Sequence, residues 1–280
     1  MFAIVGILVV FGAVVGGYLM EHGNIRVLLQ PAELVIIAGA SAGTILVANP
    51  PSILKGILSG MSAVFGSSKF GKERYLEILK QIYAVLQKAR TKGLTALEGD
   101  VEDPGKSELF GKWDHHVREF VCDTLRMAMT GGPTPFDLDQ MMELDMEVHE
   151  HYSQQPVKAL NTVADSLPGL GIVAAVLGVV ITMGALGGPP EEIGHKVAAA
   201  LVGTFLGILL CYGLLGPMAS KMGKAAEEEH HFYHTVRVAL SSFLKGSSPA
   251  MAVEFARRAV PGFVRPTFQE LEKAYRGAKE

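Results

Sequence analysis

This sequence contains no complete set of residues for a known catalytic or metal-binding motif. There is no phosphate-binding glycine loop followed by lysine, no GxSxG nucleophile turn and no HExxH metal motif. His230 and His234 stand one helical turn apart, but no third ligand accompanies them, so we expect both on exposed surface. Asp137 and Asp139 resemble the start of a calcium loop that lacks its glycine and distal glutamate. We therefore expect no enzyme activity, no cofactor and no metal site.

Ion transport is a second kind of chemistry, and it needs ionisable side chains inside apolar segments. Such segments exist, because four apolar runs reach the length of roughly 20 residues that a membrane-spanning helix requires. None has an ionisable side chain in its interior, and we place Glu33 at the rim of the second. The chain therefore either moves no ion or depends on a partner for the carboxylate. The runs cover residues 2–20, 32–49, 167–186 and 197–220.

The four runs are rich in glycine and hold few polar side chains. Small residues let helices approach closely in lipid, which favours tight packing in one bundle or in an oligomer. Thr182 is expected to bond a carbonyl group of its own helix. The glycines are Gly6, Gly12, Gly16, Gly17, Gly39, Gly43, Gly169, Gly171, Gly178, Gly184, Gly203, Gly207 and Gly213.

The distribution of lysine and arginine predicts the orientation in the membrane. The short links within each pair of runs hold only Arg26 and Lys196, so we expect them outside. The first run lacks a basic leader and a cleavage site, so we expect a retained helix. We predict transmembrane helices 1 and 2 over residues 1–49, a cytoplasmic helical domain over 50–166, transmembrane helices 3 and 4 over 167–220, and cytoplasmic helices over 221–280. The basic residues on the inner side are Lys55, Lys69, Lys72, Arg74, Lys221 and Lys224.

The segments between and after these runs are predicted to be helical, which makes the fold class all-α. Apolar residues recur every three to four positions, and no strand pattern of convincing length is present. Capping boxes start at Thr134, with Asp137, and at Thr267, with Glu270. The predicted helices cover 72–92, ended by Gly93; 107–129; a long stretch from Thr134 interrupted near Pro156; 225–244; and a short helix after Thr267.

Charge is segregated along these helices although the whole chain carries a net charge of only −3. Residues 69–92 hold seven basic and two acidic side chains, and residues 98–119 hold seven acidic and three basic ones. Residues 137–150 hold six acidic and no basic side chains. Such blocks either pair with each other on solvated faces or form a docking surface. The near-neutral total argues against nucleic-acid binding, and two distant cysteines indicate neither disulfides nor a zinc site.

Several motifs of the sequence resemble MotA, a family of stator subunits of the bacterial flagellar motor, within the MotA/TolQ/ExbB superfamily. The resemblance covers essentially the whole chain. It is carried by QPAELVIIAGA at 30–40, DSLP at 165–168, GIVAAVLGVV at 171–180, VGTFLGILL at 202–210, AVEF at 252–255 and RP with LE at 265–272.

The resemblance implies a bacterial inner-membrane protein with both termini in the cytoplasm. In this family, several MotA-type subunits, a pentamer by expectation, surround two helices of a second, MotB-like stator subunit that supplies a membrane aspartate. Ion passage turns the ring, whose cytoplasmic domains push on the rotor protein FliG. The matching rotor-contact residues in this sequence are Arg90 and Glu98, with Glu150 as a weaker candidate.

The resemblance also assigns residues to the ion pathway and its coupling. Pro168 and Pro217 match prolines at the inner ends of the third and fourth spans, and Thr204 matches a pore-facing threonine. Sodium-driven relatives carry a threonine where this chain has Ala175, so H⁺ is the favoured ion. The role of Thr182 stays open. Alternatives are an ExbB/TolQ-like energising subunit of an envelope transport system, a non-conducting membrane scaffold, and a self-sufficient channel.

Overall fold

The computed structural model describes residues 2–111, 113–184 and 187–276, and its regular secondary structure over these ranges is helical throughout. A 3-10 turn, Leu94–Leu97, and a π turn, Cys211–Leu215, interrupt the α-helices. The α-helices are α1 Phe2–Met20, α2 Ile25–Leu28, α3 Pro31–Ala48, α4 Pro51–Ala63, α5 Lys72–Lys92, α6 Glu98–Glu102, α7 His115–Met129, α8 Pro135–Met183, α9 Pro190–Leu210, α10 Gly216–Leu244, α11 Pro249–Ala259 and α12 Phe268–Arg276.

Four helical stretches are long and apolar enough to cross a membrane, which confirms the predicted number of spans. They are Phe2–Met20, Ile25–Ala48, Pro135–Met183 and Pro190–Leu244. The last two extend well beyond the apolar runs, because amphipathic helix continues from each run. The predicted end of the third run, Leu186, lies outside the described residues.

The chain divides into two compact units. Met1–Ser67 and Ser153–Lys224 form one, which we call the apolar unit, and Ser68–Tyr152 and Ala225–Glu280 form the other, which we call the polar unit. The apolar unit contains the four apolar runs. The predicted segment boundaries at residues 50, 167 and 221 follow hydropathy along the chain, not contacts between helices, and they stay a prediction.

Helices α8 and α9 approach closely in the apolar unit because glycines face each other at their crossing. A Cβ atom added to Gly171 would lie 2.7 Å from the Gly203 carbonyl oxygen, and one added to Gly207 would lie 2.5 Å from the Leu167 carbonyl oxygen. The predicted tight packing of small residues is therefore confirmed for this pair of helices. By contrast, Cβ atoms added to the glycines of the first two spans would have no neighbour within 4 Å among the described residues. These are Gly6, Gly12, Gly16, Gly17, Gly39 and Gly43.

Helix α8 runs without a break through Pro156, so the predicted interruption there is wrong. A proline inside a helix removes one hydrogen bond and needs room for its ring. The room is provided by Gly56 of α4, whose added Cβ would lie 2.6 Å from the Pro156 Cγ. The absence of a side chain at Gly56 therefore lets α4 pack directly against the Pro156 ring.

A π turn immediately before Pro217 accommodates that proline. The Gly216 amide donates to the Cys211 carbonyl oxygen five residues back, which defines the turn over Cys211–Leu215. Wider turns of this kind occur where a helix must absorb a missing hydrogen bond. Pro217 itself is exposed, and Cys211 is buried in a small apolar cluster with Ile37 and Leu167.

The polar unit has its own core, and α5, α7, α10 and α11 contribute most of its buried side chains. Cys122 of α7 is a free thiol in this core, and burial raises its pKa to about 11. The largest fully buried side chains of this core include Tyr75, Leu79, Ile82, Leu86, Phe110, Leu125 and Phe232. Most of them lie at apolar positions of the segments predicted as helices over 72–92 and 107–129.

The helix predicted over 107–129 begins only at His115, because residues 107–111 form turns. Ser107 Oγ donates to Asp100 at 2.7 Å and accepts a hydrogen bond from the Leu109 amide at 3.1 Å. These polar bonds compete with helix at its expected start. Helix α11, which Ser248 caps through the Met251 amide, was not predicted.

Both predicted capping boxes are confirmed. The Thr134 amide donates to Asp137 at 2.8 Å, and the Asp137 amide donates to Thr134 Oγ1 at 3.2 Å. The Thr267 amide donates to Glu270 at 2.7 Å, with the matching bond from the Glu270 amide at 3.2 Å. Gly93 ends α5 with a φ of 85°, a conformation that glycine adopts without strain.

Candidate functional site

Three of the predicted ion-pathway residues, Ala175, Thr204 and Pro168, lie near the crossing of α8 and α9. Thr204 follows Gly203, and a Cβ added to Gly203 would lie 3.2 Å from the Ala175 amide nitrogen. Thr204 and Ala175 are both half-buried. The crossing therefore places a hydroxyl group on α9 and a small side chain on α8 close to the same glycine.

Thr182 lies further along α8 and is buried. Its hydroxyl donates to the Gly178 carbonyl oxygen at 2.8 Å, which confirms the predicted bond within its own helix. The hydroxyl oxygen can still accept a hydrogen bond.

Pro168 lies at the other end of the α8–α9 crossing and is half-buried. Its lack of an amide hydrogen leaves the Ala164 carbonyl without the usual helical donor, yet α8 continues past it. The neighbouring Leu167 carbonyl oxygen touches Gly207 of α9. The helix can therefore bend at Pro168 while its contact with α9 depends on the absence of a side chain at Gly207.

Glu33 lies at the end of its span, as predicted, but its side chain is buried, which the sequence did not show. The side chain is only 7% exposed and lies in the first turn of α3. Its carboxyl group points at glycines of the third and fourth spans: Cβ atoms added to Gly203 and Gly178 would lie 2.5 Å and 3.5 Å from Glu33 oxygens. The missing glycine side chains leave room for the carboxyl group, so its burial depends on three helices and is invisible in hydropathy.

In the polar unit, Arg90 and Glu98 are exposed on either side of one connection. Arg90 lies in the last turn of α5, and Glu98 is the first residue of α6, with Gly93 and the 3-10 turn between them. Lys88 Nζ donates to Asp100 Oδ2 at 2.5 Å, so an ion pair ties the two helices together. The structure thus brings Arg90 and Glu98 onto one braced segment.

Asp100 is the centre of this brace. Burial raises its pKa, but the hydrogen bonds from Lys88 and Ser107 outweigh burial and hold the pKa of this carboxyl below its usual range. Asp100 is therefore ionised at neutral pH. The exposed charges that could meet a partner are separate from the half-buried pair that fixes the segment.

Glu150 has a different environment from the other two predicted contact residues. It is half-buried, and one of its oxygens lies 3.2 Å from His230 Nδ1 of α10. The preceding His149 pairs with Glu229 at 3.4 Å. These pairs join α8 to α10 within the polar unit, a structural role that the sequence did not reveal.

The histidines expected on exposed surface, His230 and His234, are half-buried instead. Burial lowers the pKa of His234, which is therefore neutral at physiological pH. His115, His116 and Glu119 place ligand atoms within 4.8 Å of one another, but all three are exposed. Exposed groups of this kind are common without a bound ion.

Charge pairing between the blocks occurs in the polar unit. Lys88 with Asp100 and Arg74 with Asp114, both at 2.5 Å, join the basic block to the first acidic block. The second acidic block pairs elsewhere, since Asp139 accepts from Arg237 and Lys245 of the C-terminal segment, each at 2.9 Å. Burial raises the Asp139 pKa, and these two cations lower it by more.

The AVEF and RP motifs near the C-terminus form a structural cluster. Ala252 and Val253 are fully buried, and Glu254 accepts two hydrogen bonds from Arg257, at 2.7 and 2.8 Å. Arg257 also donates to the Pro266 carbonyl oxygen at 3.0 Å. Arg257 therefore connects the C-terminal loop to α11. The sequence signal for this cluster was the spacing of Glu254, three and four positions before Arg257 and Arg258.

Comparison with known proteins identifies the family. Residues 4–93 match the family described as Motility protein A N-terminal, and residues 112–234 match the MotA/TolQ/ExbB proton channel family. Motility protein A of Escherichia coli strain K12 is 41% identical over 284 aligned residues, covering 100% of this chain and 96% of that protein.

Two solved structures have the same fold. A MotAB structure from C. jejuni aligns with a TM-score of 0.78 at 19% identity, covering 95% of this chain and 98% of that one. The flagellar MotAB stator complex from Bacillus subtilis aligns with a TM-score of 0.74 at 24% identity, covering 97% of this chain and 98% of that one. The likeness extends over nearly the whole length in both.

Proposed function

Because this chain belongs to the motility protein A branch of the MotA/TolQ/ExbB proton channel family, we infer that it is the MotA-type subunit of a bacterial flagellar stator. The observation that carries this conclusion is the full-length match to motility protein A, together with four membrane-length helices. The work of such a subunit is to couple ion passage to torque. We propose no covalent chemistry for it.

A MotB-like partner is required for ion passage in this proposal. Crossing about 30 Å of hydrocarbon takes a series of sites, and Glu33 is the one acidic side chain within the predicted runs. The MotB-like stator subunit would supply the membrane aspartate at the centre of a ring formed by copies of this chain. A pentameric ring is the family expectation that we adopt.

The proposed ion is H⁺. Sodium needs several oxygen ligands, whereas a proton needs one acceptor at a time. Ala175 offers no oxygen from its side chain, and Thr204 is the nearby hydroxyl at the α8–α9 crossing. This composition supports proton transfer over sodium coordination.

The orientation follows from the basic residues, with both termini on the cytoplasmic side of the inner membrane. Lys196, the one basic residue of the second short link, pairs with Glu192 at 2.9 Å, which leaves little net positive charge there. Lys221 donates to the Val64 carbonyl oxygen at the end of α4 at 2.6 Å, which supports placing that end with the cytoplasmic segments. Residues 50–166 would then form the inserted cytoplasmic domain.

Torque would reach the rotor protein FliG through exposed charge. Arg90 and Glu98 carry opposite charges on a segment braced by Lys88 and Asp100. A rigid, charged edge can exert force on a complementary surface without rearranging itself. Glu150, which pairs with His230, would join α8 to α10 within the polar unit more than touch the rotor.

Coupling between the ion and the cytoplasmic helices is assigned to Pro168 and Pro217. Each lies where a membrane helix continues into cytoplasmic helix, and each lacks an amide hydrogen. Both points can bend without breaking a helical bond, and the π turn before Pro217 is already a deviation from regular helix.

Genetic complementation tests this function most directly. The gene should restore swimming to a bacterium that lacks its own motility protein A when a cognate MotB-like protein is present, and should not do so when that partner is deleted. Failure to swim despite normal membrane abundance and normal partner binding would favour the non-conducting scaffold. Rescue of energised outer-membrane import instead of motility would favour the ExbB/TolQ-like alternative.

A further inference from the structure

One acidic side chain of the apolar unit has no role in the function proposed above. Glu33 lies in the first turn of α3, immediately after the short link that we place outside the membrane, and is 7% exposed. Acidic side chains are almost never buried unless they are paired or functional. The environment of this carboxyl group therefore needs an explanation.

Glu33 is buried without a partner for one of its oxygens. Among the described residues, no group forms a hydrogen bond with Oε2. The same oxygen would lie 2.5 Å from a Cβ on Gly203, and Oε1 would lie 3.5 Å from a Cβ on Gly178. The carboxyl group thus fills space that two glycines of the third and fourth spans leave open, and it faces helix backbone there instead of a cation.

The charge state follows from this environment. An ionised carboxylate without a cation is strongly disfavoured in an apolar interior, whereas the neutral acid removes the charge. The neutral acid also gains an O–H donor. The site is therefore built to hold a proton and to release it only when an acceptor arrives.

The neighbours of Gly203 connect this carboxyl group to the ion pathway. A Cβ added to Gly203 would also lie 3.1 Å from the Ala174 Cβ and 3.2 Å from the Ala175 amide nitrogen of α8, and Gly203 precedes Thr204. Glu33 thus approaches the same glycine as two of the predicted pathway residues, Ala175 and Thr204. Its place in the first turn of α3 puts it at the outer end of that pathway in the proposed orientation.

We propose that Glu33 is a proton-binding site at the outer end of the ion pathway, contributed by this chain and additional to the carboxylate of the MotB-like partner. A hydronium ion transfers one proton to the Glu33 carboxylate and leaves as water, and the acid later gives the proton to the next acceptor on the pathway. The proposal rests on the stator function, but protonation of Glu33 can be measured without it.

A carbodiimide tests the protonated state. A buried carboxylic acid adds across the C=N bond of dicyclohexylcarbodiimide to give an O-acylisourea, which rearranges to a stable N-acylurea that peptide mass spectrometry locates. In the purified full chain we expect labelling at Glu33 near neutral pH, declining in alkaline buffer. Exposed Glu191 serves as the internal control and should stay unlabelled.

Two glycine variants test the position of the carboxyl group. Gly203→Ala places a methyl group against Glu33 Oε2 and should reduce labelling several-fold. Gly194→Ala, on the same helix with no neighbour within 4 Å of its added Cβ, should label as wild type. Absence of label at Glu33 in the folded wild-type chain, or equal labelling of both variants, would overturn the proposal.

The functional arm compares Glu33→Gln with Glu191→Gln in cells that contain the MotB-like partner. Glutamine keeps the shape of the side chain but cannot carry a proton, so swimming speed should fall, and the loss should grow as external pH rises and protons become scarce. Speed equal to wild type at every external pH would remove Glu33 from the pathway. If the wild-type chain itself restores no swimming, the stator function fails, while the labelling result still decides protonation. If the glutamine variant is absent from the membrane, the labelling arm alone decides.

Discussion

Opposite charges on the exposed connection between α5 and α6 are separated from the residues that hold it in place. Lys88 and Asp100 form the half-buried pair, while Arg90 and Glu98 are exposed. A change at an exposed charge can therefore alter a partner contact without loosening the segment, since exposed ion pairs contribute little to stability.

Charge reversal at the exposed positions should impair torque. Arg90→Glu or Glu98→Lys places a wrong-signed charge on the docking edge, and like charges across an interface are penalised. We expect swimming to fall strongly with normal membrane abundance, and a compensating reversal on FliG to restore part of it. Lys80→Glu, exposed on the same helix, is the matched control. Normal swimming of both reversals would assign these charges to a solvated face only.

The Glu254 cluster predicts how the stability of the polar unit depends on pH. Hydrogen bonds from Arg257 and Arg258 lower the pKa of Glu254 from 4.5 to about 2. Since the folded-state pKa is the lower one, the ionised carboxylate stabilises the fold above about pH 4.5, and this contribution is lost as pH falls towards 2. Glu254→Gln should therefore lower the free energy of unfolding by about 3 kcal/mol near neutral pH.

Thermal unfolding of the purified chain in detergent measures this difference. The gap in Tm between Glu254→Gln and wild type should be full near neutral pH and shrink steadily in acid. Glu73→Gln, an exposed acid on α5, should leave Tm within experimental scatter at every pH. A gap in Tm that does not change with pH would mean that ionisation of Glu254 is not the source of the stability difference.

At the scale of elements, the crossing of α8 and α9 depends on glycine at specific positions. A Cβ on Gly207 would lie 2.5 Å from the Leu167 carbonyl oxygen, too close for either helix to keep its place. Gly207→Ala should therefore force the helices apart at a cost of about 1–3 kcal/mol. Gly194→Ala on the same helix meets open space. Thermal unfolding of the purified proteins in detergent should give a lower Tm for Gly207→Ala than for wild type, and an unchanged Tm for Gly194→Ala. Equal Tm values for the two variants would refute the close contact.

Pro168 of α8 is the residue at which we expect ion passage to be converted into helix motion. One elementary charge crossing 100 mV releases about 2.3 kcal/mol, which does work only if an element has different contacts before and after passage. Pro168→Ala restores a helical hydrogen bond to the Ala164 carbonyl, so stability should be equal or slightly higher. Torque should nevertheless drop sharply because the bend is lost, while rotor binding survives.

Swimming speed measured together with membrane abundance checks this prediction. Pro156→Ala is the matched control, because it changes a proline in the same helix that packs against Gly56. If cells that contain normal amounts of the Pro168→Ala protein swim normally, Pro168 has no role in coupling and is an ordinary residue of the helix.

At the scale of the whole molecule, the chain should not conduct by itself. The predicted spans contain a single acidic side chain, Glu33, and one site cannot relay a proton across about 30 Å of hydrocarbon. Vesicles containing the purified chain should leak protons no faster than empty vesicles, as measured with a trapped pH-sensitive dye. Addition of the MotB-like partner provides the positive control. Robust conduction without that partner would support a self-sufficient channel.

Features that depend on neighbouring residues were the ones the sequence predicted well. The capping boxes at Thr134 and Thr267 and the end of α5 at Gly93 involve residues within a few positions of each other. The four spans follow from composition alone. The motif residues Thr204 and Pro168 could be placed on their helices because long apolar patterns fix those helices.

Features that depend on distant contacts were missed or misplaced. The burial of Glu33 was missed because hydropathy ignores the glycines of two other helices that accommodate its side chain. Pro156 looked like a helix break because its packing partner, Gly56, lies far earlier in the chain. The late start of α7 at His115 depends on the hydrogen bond between Ser107 and Asp100. Tertiary packing overrides local propensity at each of these places.

The burial of both native thiols makes this chain suited to site-specific labelling. Cys122 lies in the polar core with a pKa of about 11, and Cys211 is buried in the apolar unit, so neither presents an accessible thiolate at neutral pH. A cysteine introduced at an exposed position outside the proposed rotor contact, such as Lys80, would then be the one rapidly reacting thiol, with no need to replace the native pair. Fluorophores or spin labels attached there could follow the motion of α5 in the working motor.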